Sequence, residues 1–243
     1  MPRLGFPLAA LILVVAAGAL GAPAPNKNKR GDIIWVHPRY DSLKIQSIAF
    51  LPVAAYDNNF QNEKIVENQL SAALRGSGYR WISPATTKSM LTSAVGDSMV
   101  AVIDRSILTH GRVDSVHAAR LCRALRVTAL LSARLDLFEQ VQVEWNQSGK
   151  PSTTVQVRSA VVDSSGRLVW SAAGSETAEG PYHDANAATL GVKSTGLTTE
   201  PVSGQAGAPS FQDVTTRLFT RWAPNFPPFK PAEATATESA PAK

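Results

Sequence analysis

VTALLSARLDLFEQVQVEW, residues 127–145, decides the fold. Apolar side chains stand at 127, 129, 131, 133, 135 and 137, and again at Val141, Val143 and Trp145. That two-residue period lays one face of an extended strand against a core. The alternation is weakest at Glu139 and Gln140, which predicts a bend there. Asn146 to Pro151 reads as a turn, and Val155, Val157 and Val161 carry the same period back. Asp163-Ser-Ser-Gly166 then turns tightly into a third strand over Arg167–Ser171, completing an antiparallel meander.

Upstream, KIQSIAFLPV (44–53) alternates into a continuous apolar end that stops at Pro52, the pattern of a buried strand. Residues 61–75 place Ile65, Val66, Gln69, Leu70, Ala73 and Leu74 on one helical stripe, which Gly76 and Gly78 terminate. Tyr79–Ile82 is a short strand. Ser83 followed by Pro84 caps a helix reaching about Ala94, and helical patterns follow over roughly 98–108 and from Val113 to Arg126. Downstream, Phe211–Trp222 sets Val214, Leu218 and Trp222 four residues apart on a last helix. The order β-α-β-α-α-β-β-β-α predicts a single α+β domain, a mixed sheet with a C-terminal meander and helices packed on one face.

The flanks differ in composition. Arg3, the apolar run Leu4–Val15 and the small residues through Ala22 describe a signal peptide over 1–21, with cleavage after Gly21. Retained, the same run would tether the chain. Residues 22–42 read as a polar, proline-broken linker, 43–222 as the domain, and 174–209 as a long Gly/Ser/Thr-rich loop within it. Residues 223–243 read as a Pro/Ala-rich disordered tail. A hydrophobic fraction of 44% supports a proper core, and no segment after the leader has 18 consecutive apolar residues. With Cys122 as the single cysteine, no intrachain disulfide forms.

No HExxH, CxxC, GxSxG or Walker A pattern occurs, and Gly191-Val-Lys-Ser194 only faintly echoes a phosphate loop. His37, His110, His117 and His183 lack metal-ligand spacing, since Gly111 separates the two nearest in sequence. Cys122 shares an apolar helix face with Ala118, Leu121 and Leu125, which suits a structural thiol. The net charge of +5 is mild, but arginines concentrate over 105–134. Arg112, Arg120, Arg123 and Arg126 are therefore the candidate partner surface, their planar forks suited to carboxylate or phosphate. A merely solvated helix face is the bland alternative.

The opening strand 44–53, Arg126-Val-Thr-Ala-Leu-Leu-Ser-Ala133 and Asp163-Ser-Ser-Gly166-Arg-Leu-Val-Trp170-Ser171 together carry a family pattern. Over about 43–175 the chain resembles the envelope lipoprotein superfamily of the curli secretion channel subunit and the penicillin-binding-protein activators. It is also similar in shape to the amino-terminal domain of the Tol translocation protein. The resemblance implies a non-enzymatic role in binding, bridging or assembling envelope components. Two departures stand out. Ala22 and Pro23, not cysteine, follow the leader, so there is no thiol to acylate there. Arg134, Asp136 and Arg158 are spaced to face water, which argues against lipid-facing barrel strands.

The expected function is thus an exported, periplasmic or envelope-associated accessory protein, not an enzyme, needing no cofactor and no metal. Its partners would be an envelope protein or an anionic cell-wall or lipid surface, with membrane contact peripheral at most. Nucleic acid is a poor fit to an exported chain without an aromatic platform. An unpaired strand edge could recruit a second copy into a homo-oligomer. The alternative from another class is a periplasmic hydrolase or small-ligand-binding protein with its site under the 174–209 loop, built on Glu179, His183 or Asp184.

Overall fold

The computed structural model describes residues 26–27, 31–57, 59–144, 147–183, 185 and 207–230. Residues 1–25, which include the run read as a signal peptide, Asp184, most of the Gly/Ser/Thr-rich loop and the chain beyond 230 lie outside the described residues. One mixed sheet runs through the molecule in the order β1 (Asn26–Lys27), β2 (Ile33–Val36), β8 (Leu168–Glu179), β7 (Ser152–Asp163), β6 (Ala129–Val141), β3 (Ser47–Phe50) and β5 (Arg80–Ile82). β4 (Ala54–Ala55) continues alongside β6. β3 is parallel to both β5 and β6, whereas β6, β7, β8 and β2 are antiparallel in succession. The α+β class and the meander are as the periodicity implies.

Five α-helices are described: α1 (Phe60–Leu74), α2 (Pro84–Val95), α3 (Asp97–His110), α4 (Ser115–Leu125) and α5 (Phe211–Trp222). Each start has a chemical cause. The side chains of Asn59, Ser83, Asp114 and Ser210 accept hydrogen bonds from first-turn backbone N–H groups of α1, α2, α4 and α5. Three helices separate β5 from β6, one for each helical pattern read over 83–126 and one more than the element order counted. Gly111, at φ +71°, stops α3 with the left-handed residue that lets its N–H reach the Ile107 carbonyl.

The helices also divide between both faces of the sheet, correcting the one-face arrangement. On one face Val66, Leu70 and Leu74 of α1 and Val214, Leu218, Phe219 and Trp222 of α5 join Ile48, Phe50, Leu131, Val157, Val161 and Trp170. On the other, Leu91 of α2, Ile103 and Ile107 of α3 and Leu121, Cys122 and Leu125 of α4 close over Ala49, Leu51, Leu130 and Val162. All four residues of β3 are buried, as are adjacent Leu130 and Leu131. A strand covered on both sides favours apolar residues on both faces, so alternation does not describe β3 or the first half of β6.

Several boundaries move. Ile33–Val36, placed in the 22–42 linker by its polar surroundings, is a strand paired with β8 at Trp170–Ala173. β8 runs to Glu179, so the first residues of the 174–209 loop are sheet. β6 stops at Val141, and its irregularity falls between Leu135 and Leu137, not at Glu139–Gln140. Asp136 is the extra residue that the bulge accommodates. The start of the assigned tail is ordered against the core. Phe226 is buried, Tyr79 Oη donates to the Pro227 carbonyl (3.1 Å), and the Phe229 N–H donates to the Ser77 carbonyl (2.8 Å).

A buried ion-pair network anchors α5. Arg221 donates from Nε and Nη2 to the two oxygens of fully buried Asp32 (2.8 and 2.9 Å) and pairs with Glu176 on β8. The Asp32 hydrogen bonds raise the Arg221 pKa against its own desolvation, so the guanidinium stays charged. Gly174 makes room for this contact, since a Cβ there would fall inside 3.0 Å of Asp32 Oδ1.

Candidate functional site

Helices α2, α3 and α4 cover only part of their face of the sheet. They lie over β3, β6, the near end of β7 and Leu168 at the start of β8, and among the described residues leave the rest of β8 and β2 uncovered on this face. Between the α3–α4 connection and this bare sheet lies a groove of about 640 Å³. His110–Ser115 form one wall. The floor is Arg158, Ala160, Ser171, Ala173 and Ile33, with Gly166 and Leu168 at the end nearest α4. Ile33 is 40% exposed there, an apolar side chain beside small ones.

The turn at the end of the groove is built by its own side chain. Asp163 Oδ1 accepts from the N–H groups of Ser165 and Arg167 (2.9 Å each) and from Ser165 Oγ (2.6 Å). That loop conformation needs Gly166 at φ +75°. Gly166 also seats the turn on the first residue of α4, because a Cβ there would fall inside 3.0 Å of Ser115 Cα. The opposite wall is held by Asp114, whose carboxylate accepts from the His117 N–H (2.9 Å) and meets His117 Nδ1 at 2.7 Å. Partial burial pushes the Asp114 pKa up, but the His117 and Val116 hydrogen bonds outweigh it, and the net direction is down.

A second ionic cluster runs along the groove side. Asp136 sits between two guanidiniums, accepting from Arg134 Nε (2.6 Å) and Arg158 Nε (2.8 Å). Arg134 also donates from Nη1 to the Leu108 carbonyl (2.5 Å) in the last turn of α3, and its guanidinium lies over the Tyr56 ring at 5.5 Å. Tyr56 Oη donates to the same carbonyl (2.8 Å). Arg134 is buried, so this trio is a structural junction with one exposed member, Arg158. The expectation that Arg134 and Asp136 face water is corrected here: the bulge at Asp136 turns both into the joint between β6 and α3.

The four candidate arginines fall into two places. Arg112 lines the groove and is exposed. Arg120 and Arg123 lie on the outward face of α4 with Val116, which is 80% exposed. Arg126 is the left-handed residue (φ +55°) that ends α4, and its carbonyl accepts from Arg80 Nη2 (3.1 Å). The spacing thus marked two surfaces, not one. Arg158 joins Arg112 in the groove, and only its sequence distance from Asp136 concealed it.

The alternative site was expected under the 174–209 loop, most of which, Asp184 included, lies outside the described residues. Glu179 pairs with Lys150 at an exposed position (2.9 Å), and His183 exchanges two backbone hydrogen bonds with Gly149. Within the groove, Asp114 is engaged by His117 rather than by His110. Ser159 Oγ donates to the Ser132 carbonyl (3.0 Å). Among the described residues, no imidazole–hydroxyl–carboxylate relay forms there, and no cluster of three or more His, Cys, Asp or Glu is placed to hold a metal ion. No described helix is long and apolar enough to cross a membrane.

No family model matches the chain, and no curated protein matches it. Solved structures similar to it include lipoprotein GNA1162 from Neisseria meningitidis, at 16% identity and a TM-score of 0.42, covering 55% of this chain and 83% of that one. The PelC dodecamer from Paraburkholderia phytofirmans is 16% identical at a TM-score of 0.38, covering 83% and 91%. Hypothetical protein CT253 from Chlamydia trachomatis is 16% identical at 0.35, covering 54% and 71%. Likenesses this distant carry no functional argument.

Proposed function

We propose that the protein is an exported, non-enzymatic accessory module that binds another component of the cell envelope. The observation that carries this reading is the open groove on the bare part of the sheet, walled by the α3–α4 connection and bearing Arg112 and Arg158 at its surface. Its carboxylates are tied to structural partners, Asp114 to His117 and Asp136 to two arginines, whereas Arg112 and Arg158 present N–H groups at its surface. That suits recognition of an anionic partner, which needs donors presented at a surface. Export rests on the leader-like residues 1–21, and an envelope protein or an anionic cell-wall or lipid surface is the partner class. Membrane contact is peripheral.

The test is capture from the organism's own envelope extract on immobilised exported protein, with Arg112→Glu and Arg158→Gln as paired controls. The expected result is a reproducible macromolecular partner that both variants recover poorly. Consistent hydrolysis of a small substrate, with recovery indifferent to both substitutions, would overturn the reading.

A further inference from the structure

Resting on that reading, we infer that the groove takes a ligand through a phosphate group, with Arg112, Arg158 and His110 as its donors. The charge balance points this way. Three guanidiniums, those of Arg112, Arg134 and Arg158, stand against the carboxylates of Asp114 and Asp136 on the groove wall and its flank. One positive charge is left over before either histidine is considered. That excess sits at the groove surface, because Arg134 spends its guanidinium on Asp136 and the Leu108 carbonyl.

Arg158 binds Asp136 through Nε, leaving the terminal edge of its fork without a partner among the described residues, on a side chain 53% exposed. The Arg112 guanidinium and the His110 ring have no hydrogen-bond or ionic partner among the described residues either. The two arginines reach one space from different elements: a Cβ on Gly111, beside Arg112, would lie 4.0 Å from Arg158 Cδ.

α4 also begins at Ser115 on this rim, so its positive dipole end adds to the same field. Donors arriving from separate directions suit a tetrahedral anion with several oxygens better than a planar carboxylate. The small, partly apolar floor of Ala160, Ala173 and Ile33 would hold the uncharged body that carries the phosphate. A volume of about 640 Å³ admits a polyol phosphate, either free or as a lipid headgroup.

The experiment titrates the exported protein with glycerol 1-phosphate and with glycerate by calorimetry. In parallel it floats the protein on phosphatidylglycerol and phosphatidylcholine vesicles. Wild type should bind glycerol phosphate saturably, and Arg112→Glu and Arg158→Gln should each weaken it by about tenfold or more. Both variants should keep the wild-type urea midpoint within about 0.5 M, since both sites are exposed. Glycerol phosphate binding without flotation identifies a soluble ligand; flotation on phosphatidylglycerol alone, lost in both variants, identifies a headgroup. Absence of both, equal affinity in Arg112→Glu, or glycerate binding as tightly would overturn the phosphate assignment. Retained partner capture under those outcomes would leave the binding-module reading standing, so the two failures are separable.

Discussion

Gly166→Ala tests whether the β7–β8 turn and α4 form one rigid wall of the groove. Two penalties apply at this position. An L-residue held at φ +75° costs about 1–2 kcal/mol, because its Cβ crowds the following carbonyl. The added methyl also meets the Ser115 Cα inside 3.0 Å, and backbone cannot rotate away as a long side chain can. Overpacking of that kind costs about 1–3 kcal/mol. The sum is about 2–5 kcal/mol. Gly111→Ala separates the two penalties, since Gly111 has a similar φ of +71° but its Cβ would meet only Arg158 Cδ at 4.0 Å. It should lose about 1–2 kcal/mol. Urea unfolding of the three proteins, compared at constant m, reads the difference directly. With an m-value near 2 kcal/mol per M, the Gly166→Ala midpoint should fall by about 1–2.5 M, and the Gly111→Ala midpoint by no more than about 1 M. Equal losses in the two variants would refute the close seating of the turn on α4.

Asp136→Asn should destabilise the protein by about 3–5 kcal/mol in urea melts, because it leaves buried Arg134 without its counter-ion. Replacing the pair together, Arg134→Met with Asp136→Leu, should recover much of that loss. Burial, with Asp163 nearby, pushes the Cys122 thiol up to about 12, so the native protein should resist a thiol reagent at pH 8 and react with one equivalent in urea. Burial raises the Asp104 carboxyl pKa more than Lys88 lowers it. Its charged form therefore penalises the folded state above the raised folded value, and the penalty fades as pH falls towards the unfolded value. Asp104→Asn should accordingly raise Tm at neutral pH, with the gap from wild type closing in the acid range. Asp114 runs the opposite way. Its folded pKa is lowered, so its contribution is present above the unfolded value and lost as pH falls through the folded one. Asp114→Ala should cost about 1 kcal/mol at neutral pH through the lost helix cap and flatten the stability profile in acid.

The meander was legible because the outer part of β7 has one face in solvent, and such a strand writes its period into the chain. Past the bulge in β6 the phase reverses and leaves Leu137 and Val141, read as core-facing, exposed. β3 and the start of β6 did not reveal that helices cover both sides, since a doubly buried strand and a singly buried one differ only in the residues facing away from the first core. Ile33–Val36 was too short to show a period, and its pairing with β8 depends on contacts well over a hundred residues away. Phe226 and Phe229 were concealed by their prolines. Proline prevents regular structure without preventing burial, and here the aromatic rings between Pro224 and Pro231 close over Tyr79 and Trp81.

The site was legible only as charge. Arg112 and Arg120 belong to one basic run, yet the N-cap at Asp114 and the start of α4 at Ser115 stand between them and send them to different surfaces. Arg158 lies in another strand, where a lone arginine among alternating valines looks like ordinary solvent exposure. What changes its meaning is the bulge at Asp136, which turns one carboxylate towards two guanidiniums and so leaves a cation in excess beside the groove. A bulge is a mismatch between two strands and has no signature in either one alone. The recognition surface is therefore a product of register: shift the pairing beyond Leu135 by one residue, and Asp136 leaves its arginines while the run 105–134 reads the same.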